Sequence, residues 1–125
     1  MILNLTQHAA SPEQVALGVV DLTGPHRVRL IAAITVDTLP TSTEIWARAK
    51  TVAAVVAECR DSGMQIDACM LGGAPWMMAL LEDAIRKLGI QPVYAFSVRE
   101  SIEQVQPDGS VRKTAVFRHA GWIEA

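Results

Sequence analysis

Residues 65–98 contain a complete strand-helix-strand pattern, and that pattern constrains the fold more than any other feature. The apolar run in "QIDACMLGG" stops at Gly72-Gly73. "APWMMALLEDAIRKLG" then resumes with helical spacing through Met78, Leu81, Ile85 and Leu88 before Gly89, and "QPVYAFSV" is apolar enough for a buried strand. Two such strands joined through a helix lie parallel in one sheet, with a right-handed crossover, because a tight turn cannot join parallel neighbours.

The rest of the chain extends this pattern. Residues 2–5 read as a short buried strand, followed at Ser11-Pro12-Glu13-Gln14 by an N-cap, a proline at the first helical position and a capping-box glutamine. That helix should stop near Gly18, and "DLTGPH" should turn the chain. "RVRLIAAITV" at 27–36 fits a helix feeding a short strand. Pro40, Thr41 and Glu44 start the clearest helix, in which Ile45, Ala49, Val52, Val56 and Cys59 recur on one face until Gly63. After Arg99, two strand-like arms flank Pro107-Asp108-Gly109, a hairpin signal. The expected fold is α/β: a Rossmann-like, mainly parallel sheet flanked by helices, with a C-terminal β-hairpin, in a single domain over residues 1–125.

Composition removes several function classes. With charged residues at 19% and a net charge of −2, the chain does not hold long nucleic acid by bulk electrostatics. Cys59 and Cys69 lie in apolar contexts without metal-ligand spacing, so they read as buried free thiols. No HxxxH, HExxH or paired-aspartate cluster points to a catalytic metal, and no cofactor motif is present. No apolar run reaches membrane-spanning length and the N-terminus lacks signal-peptide features, so a cytoplasmic protein is expected.

In an open α/β sheet, ligands bind beyond the carboxyl ends of the strands. Three groups fall there on this reading: Thr6, Gln7 and His8 after the first strand, Gly72 and Gly73 after the central one, and Ser97, Arg99, Glu100 and Ser101 after the last parallel strand. A glycine pair ahead of a helix lets backbone amides approach a phosphate, or simply makes a tight turn. Arg99 suits bidentate phosphate binding, or a surface salt bridge with Glu100 or Glu103. His8 and His119 carry imidazoles, the side-chain type that can move a proton or donate to a phosphate oxygen. Arg112, Lys113 and Arg118 form a positive stripe that covers an anion or faces solvent. Trp46, Trp76, Met77 and Met78 read as core or subunit interface rather than a cofactor box.

Three stretches, "LNLTQHAASPEQ", "PVYAFSVRES" and "DGSVRKTAVFRHAGW", occur in order from near the N-terminus almost to the C-terminus. In them the chain resembles the small Csx-type proteins of CRISPR systems, which include ring nucleases that open cyclic oligoadenylate and relatives that bind it uncleaved. Similar short proteins also look at home in viral genomes. The resemblance implies a CARF-like, Rossmann-like domain, a homodimer and a ligand on the dimer axis. It places Asn4, Thr6, Gln7 and His8 of "NLTQH", and Ser97, Arg99, Glu100 and Ser101 of "SVRES", at the ligand.

On this reading His8 and Arg99 are the catalytic pair of a metal-independent ring opening, in which a ribose 2′-hydroxyl attacks the neighbouring phosphate. Three readings follow: a ring nuclease that switches off nucleotide-activated antiviral defence, a non-enzymic sponge for a cyclic oligonucleotide, or a small scaffold whose polar rim meets a protein partner.

Overall fold

A computed structural model describes residues 1–125. Five strands form one sheet in the order β2-β1-β3-β4-β5. Strands β1 (Ile2–Asn4), β2 (Val19–Asp21), β3 (Ala68–Leu71) and the start of β4 (Gln91–Val105) run parallel, and β5 (Val111–Glu124) returns antiparallel to β4. The expected mixed sheet with a C-terminal hairpin is therefore present, its turn lying at 106–110 around Pro107-Asp108-Gly109.

Two of the four helices begin where side-chain capping places them. Helix α1 (Pro12–Ala16) starts from a complete Ser11/Gln14 capping box, and α3 (Ser42–Asp61) starts from Thr41, whose hydroxyl accepts the Glu44 amide. Helix α2 (Gly24–Ile34) fills most of the ambiguous "RVRLIAAITV" region, and α4 (Pro75–Lys87) follows the glycine pair. The strand expected at the end of that ambiguous region does not form. Ile31 accepts the Thr35 amide, ending α2, and Arg48 ties down the carbonyls of Ala33 and Thr35 at 3.1 and 3.0 Å. The short strand is instead β2, earlier in the chain, pairing Val19 with Ile2 and Asp21 with Asn4.

The two sheet faces are covered unequally. Leu3, Cys69 and Leu71 pack against α2, α3 and α4 in a core of 16 buried residues that includes Leu30, Val52, Val56, Leu81 and Ile85. On the other face, Val19, Met70 and Val93 form a smaller cluster with Ala10 and Trp122 packed on it. Period-two alternation along each strand divides these residues between the faces. Cys59 and Cys69 are buried free thiols, and burial pushes the Cys69 thiol up to about 12. No helix is long and apolar enough to cross a membrane.

β4 and β5 continue far past the ends of their parallel neighbours. β4 pairs with β3 only from Gln91 to Tyr94, whereas its pairing with β5 runs from Val93 to Val105. Beyond Tyr94 the two strands are thus a free ribbon rising from the carboxyl edge of the sheet. Phe96 faces Gly121 and Ser97 faces His119, so Ala120 is an extra residue that bulges β5 at the base of the ribbon. Glu13 of α1 anchors this base, its carboxylate accepting the His119 amide at 3.1 Å and meeting the Arg118 guanidinium at 3.4 Å.

Candidate functional site

The loop after β1 is braced from inside by Asn4. This residue is fully buried, and its amide fills every hydrogen-bonding position it has. Nδ2 donates to the His8 carbonyl at 2.8 Å and to Asp21 Oδ1 at 2.7 Å, while Oδ1 accepts from the Thr6 amide at 2.9 Å and the Thr6 hydroxyl at 2.7 Å. Asp21 also accepts the Ala10 amide at 3.1 Å. Arg27 of α2 donates to the carbonyls of Thr6 and Gln7 at 3.3 and 3.0 Å. Asn4 therefore shapes the loop and has nothing left for a ligand, which corrects its expected place at one. With the loop carbonyls held inward, the His8 side chain is left exposed to solvent.

A cleft of about 440 Å³ opens beyond the carboxyl ends of β1, β3 and the parallel part of β4. Thr6, Gln7, His8, Gly72 and Gly73 all line it, so two segments far apart in the chain converge as expected from strand-end geometry. Its size falls within the range usual for small-molecule sites. The glycine turn is held closely: a Cβ on Gly72 would stand 3.3 Å from the Thr6 methyl, and Gly73 has φ +137°, where a side chain is strained. α4 follows at once with Ala74 as its N-cap and no side chain capping it. Pro75 brings no amide to the first turn and the Met77 amide donates to the Ala74 carbonyl at 3.0 Å, so Trp76 carries the free first-turn amide.

Two further polar residues that sequence reasoning did not select, Gln14 and Tyr94, line the cleft. Gln14 uses Oε1 to accept the Ser11 amide at 3.0 Å, leaving its Nε2 without a protein partner. Its capping-box position had accounted for it fully, which hid this second role. Tyr94 stands where β4 leaves its parallel neighbour, the same strand-end logic that singled out His8. Burial, with the Glu82 carboxylate second, raises the Tyr94 phenol above its usual value.

Ser97, Arg99, Glu100 and Ser101 do not follow the last parallel strand; they lie within β4, exposed on the ribbon. At about 3.3 Å per residue, Arg99 sits roughly 13 Å along the strand from Ala95 at the cleft rim. The alternative salt bridges for Arg99 are not made either: Glu100 pairs with Arg118 at 3.3 Å and Glu103 with Lys113 at 3.9 Å. Arg99 is an unpaired, exposed cation. His119 is half-buried opposite Ser97, its ring 4.6 Å from that of Trp122 and both ring nitrogens buried without a partner. It belongs to the ribbon base rather than to the cleft lining. No group of three or more His, Cys, Asp or Glu side chains is placed to hold a metal ion.

Comparison with known proteins gives one family. Residues 1–123 match the family described as "Uncharacterized protein MJ1673 family", and the chain belongs to it. No curated protein and no solved structure matches the chain.

Proposed function

We propose that this member of the MJ1673 family binds a cyclic oligoadenylate in the strand-end cleft and opens the ring, as the resemblance of its "NLTQH" and "SVRES" stretches to Csx-type proteins implies. The observation that carries the reading is the convergence of His8 and the Gly72-Gly73 turn on one cleft at the carboxyl ends of the strands. The fold is read as Rossmann-like and CARF-like, and the protein as a cytoplasmic homodimer. Two-fold symmetry suits a ring of repeated adenylates, because each subunit offers the same rim to half of the ligand.

In the reaction, the ribose 2′-oxygen attacks the adjacent phosphorus as the P–O5′ bond breaks, leaving a 2′,3′-cyclic phosphate and a 5′-hydroxyl. His8 takes the 2′-hydroxyl proton, and a solvent water protonates the departing 5′-oxygen, the resulting hydroxide being neutralised by the proton that His8 returns to solvent. The Gly72-Gly73 turn holds the charged phosphate oxygens, supplying positioning and electrostatic stabilisation. Arg99 is outside the cleft of its own chain, so its place is over the outer part of a large ring that reaches the ribbon.

A sponge is the second reading, and one observation favours it. His8 and Tyr94 are the titratable side chains lining the cleft, and the Tyr94 phenol holds its proton above the usual value. A lone imidazole without a charged partner suits holding a ring more than cutting it quickly.

The test is to mix purified protein with a panel of cyclic oligonucleotides in chelator and follow complex and product by chromatography and mass spectrometry. Linear product ending in a cyclic phosphate, formed over many turnovers, establishes the nuclease. Tight binding with intact ligand recovered on denaturation establishes the sponge. Failure to bind any nucleotide sinks both and leaves the protein-binding scaffold.

A further inference from the structure

Beside the cleft lies a second, apolar groove of about 250 Å³. We infer that it is a nucleobase subsite with the Trp76 indole as its stacking face. This rests on the nucleotide reading above and adds what part of the ligand goes where.

Trp76 occupies the first turn of α4, directly after the glycine turn and Pro75, and 49% of it is exposed. A tryptophan expected in the core or a subunit interface thus stands at the rim of a groove. The opposite wall is Ile34 and Val36, with Met77 and Met78 adding apolar surface. No charged side chain lines the groove, so its occupant is neutral and apolar in its faces.

Gln7, Gly72 and Gly73 line both the groove and the main cleft, which makes the two continuous. A ligand whose phosphate lies on the glycine turn therefore has His8 and Gln14 on one side and the indole on the other. A nucleotide has that division, with sugar and phosphate polar and the base flat and uncharged. Aromatic stacking is how proteins commonly hold unpaired bases.

The groove is also preformed. Arg48 fixes the carbonyls of Ala33 and Thr35, and Gln7 Nε2 reaches the Ile34 carbonyl and the Thr35 hydroxyl, both at 3.3 Å. These bonds commit the Gln7 nitrogen and leave its Oε1 without a protein partner. An amide oxygen in such a groove accepts from an exocyclic amine, which selects adenine over hypoxanthine.

The experiment compares ribose 5-phosphate, adenosine 5′-monophosphate and inosine 5′-monophosphate on the wild type, Trp76→Ala and Trp76→Phe. Affinity is measured by titration, and the Trp76 indole N–H resonance is followed by NMR. The wild type should bind the adenylate about tenfold or more tighter than the sugar phosphate, from the usual strength of base stacking. Trp76→Ala should erase that difference and Trp76→Phe keep much of it, with both variants melting near the wild type. Inosine monophosphate should bind more weakly than the adenylate.

Equal affinity for adenylate and sugar phosphate in the wild type, or an unaltered preference in Trp76→Ala, overturns the subsite while leaving the anion cleft standing. An unmoved Trp76 resonance on saturation does the same. If neither the mononucleotides nor cyclic tetra-adenylate binds, the cleft reading falls and the subsite falls with it.

Discussion

Asn4 and Asp21, the last residues of adjacent parallel strands, face each other in register, and their side chains are joined by a 2.7 Å hydrogen bond. Through it the ends of β1 and β2 are tied to the loop carrying His8, because the same two side chains hold Thr6, Ala10 and the His8 carbonyl. Asn4→Ala strands several buried polar groups at once and should cost about 3 kcal/mol in urea unfolding, given typical penalties for unsatisfied groups. Asn4→Asp sets a carboxylate against Asp21 in place of a donor. It should be destabilised at neutral pH and partly recover in mild acid, where protonation removes one charge. Wild-type stability in both variants would show that the loop does not depend on this brace.

The same pair shows where sequence reading stops. Asn4, Thr6, Gln7 and His8 stand out as a polar group at a strand end, and that much is legible from order and residue type. Whether a polar side chain there faces a ligand or closes on its own loop depends on Asp21 and Arg27, which arrive from β2 and α2. Although α2 begins at Gly24, inside the stretch expected to turn, the starts of α1, α3 and α4 were legible because capping is local: Ser11, Thr41 and Pro75 act within one turn. β2 was not, because "GVVD" is too short for periodicity to reveal and is fixed by pairing with β1. The continuity of β4 was hidden too. A buried strand ending near Val98 and a separate hairpin arm after Arg99 were expected, because Arg99 and Glu100 interrupt the apolar pattern, but here one strand runs from Gln91 to Val105 as it leaves the sheet for solvent.

His8 should separate function from stability. Its imidazole is exposed, and its structural part is played by its backbone carbonyl, so His8→Ala should unfold within about 0.5 kcal/mol of the wild type. If the protein cleaves cyclic oligoadenylate, the same variant should lose about 10²-fold or more in turnover. Full turnover in His8→Ala would remove the imidazole from the chemistry.

Arg99 makes no ion pair or hydrogen bond within the chain, so Arg99→Ala should leave the melting temperature unchanged. Should the ring reach the ribbon, the substitution weakens the cyclic ligand while leaving adenosine monophosphate binding intact, because a mononucleotide stays within the cleft. Equal weakening of both ligands would place Arg99 at the cleft itself, against its position on β4.

The two thiols should be inert in the native protein. Desolvation, with Cys59 second, pushes Cys69 up to about 12 from 9.0, and desolvation also raises Cys59. Since the thiolate is the reactive form, neither should label with a thiol reagent at neutral pH until the chain is unfolded. The same shift has a stability consequence. Below pH 9 both states keep the Cys69 proton and its contribution is fully present; above it the unfolded chain ionises first, and stability falls as pH rises towards 12. Urea unfolding between pH 8 and 10 should show this decline, and Cys69→Ala should flatten it. An equally steep decline in that variant would assign the alkaline loss to other groups, Tyr94 among them, whose raised phenol acts in the same direction.

The glycine turn offers two substitutions whose causes differ. Gly73 sits at φ +137°, so Gly73→Ala strains the backbone itself, at a cost of order 1–3 kcal/mol whatever space surrounds it. Gly72→Ala meets the Thr6 methyl at 3.3 Å, a contact relieved if the loop shifts by a few tenths of an ångström. Thr6 is hydrogen-bonded to Asn4 through both its amide and its hydroxyl, so that shift pulls on the brace that presents His8. Combining Gly72→Ala with Thr6→Ser removes the methyl while keeping the hydroxyl, and should restore stability and anion binding together. Gly73→Ala should gain nothing from Thr6→Ser, since its strain is not a contact with that residue. Rescue of both variants alike would mean that the turn is limited by crowding at Thr6 rather than by backbone conformation.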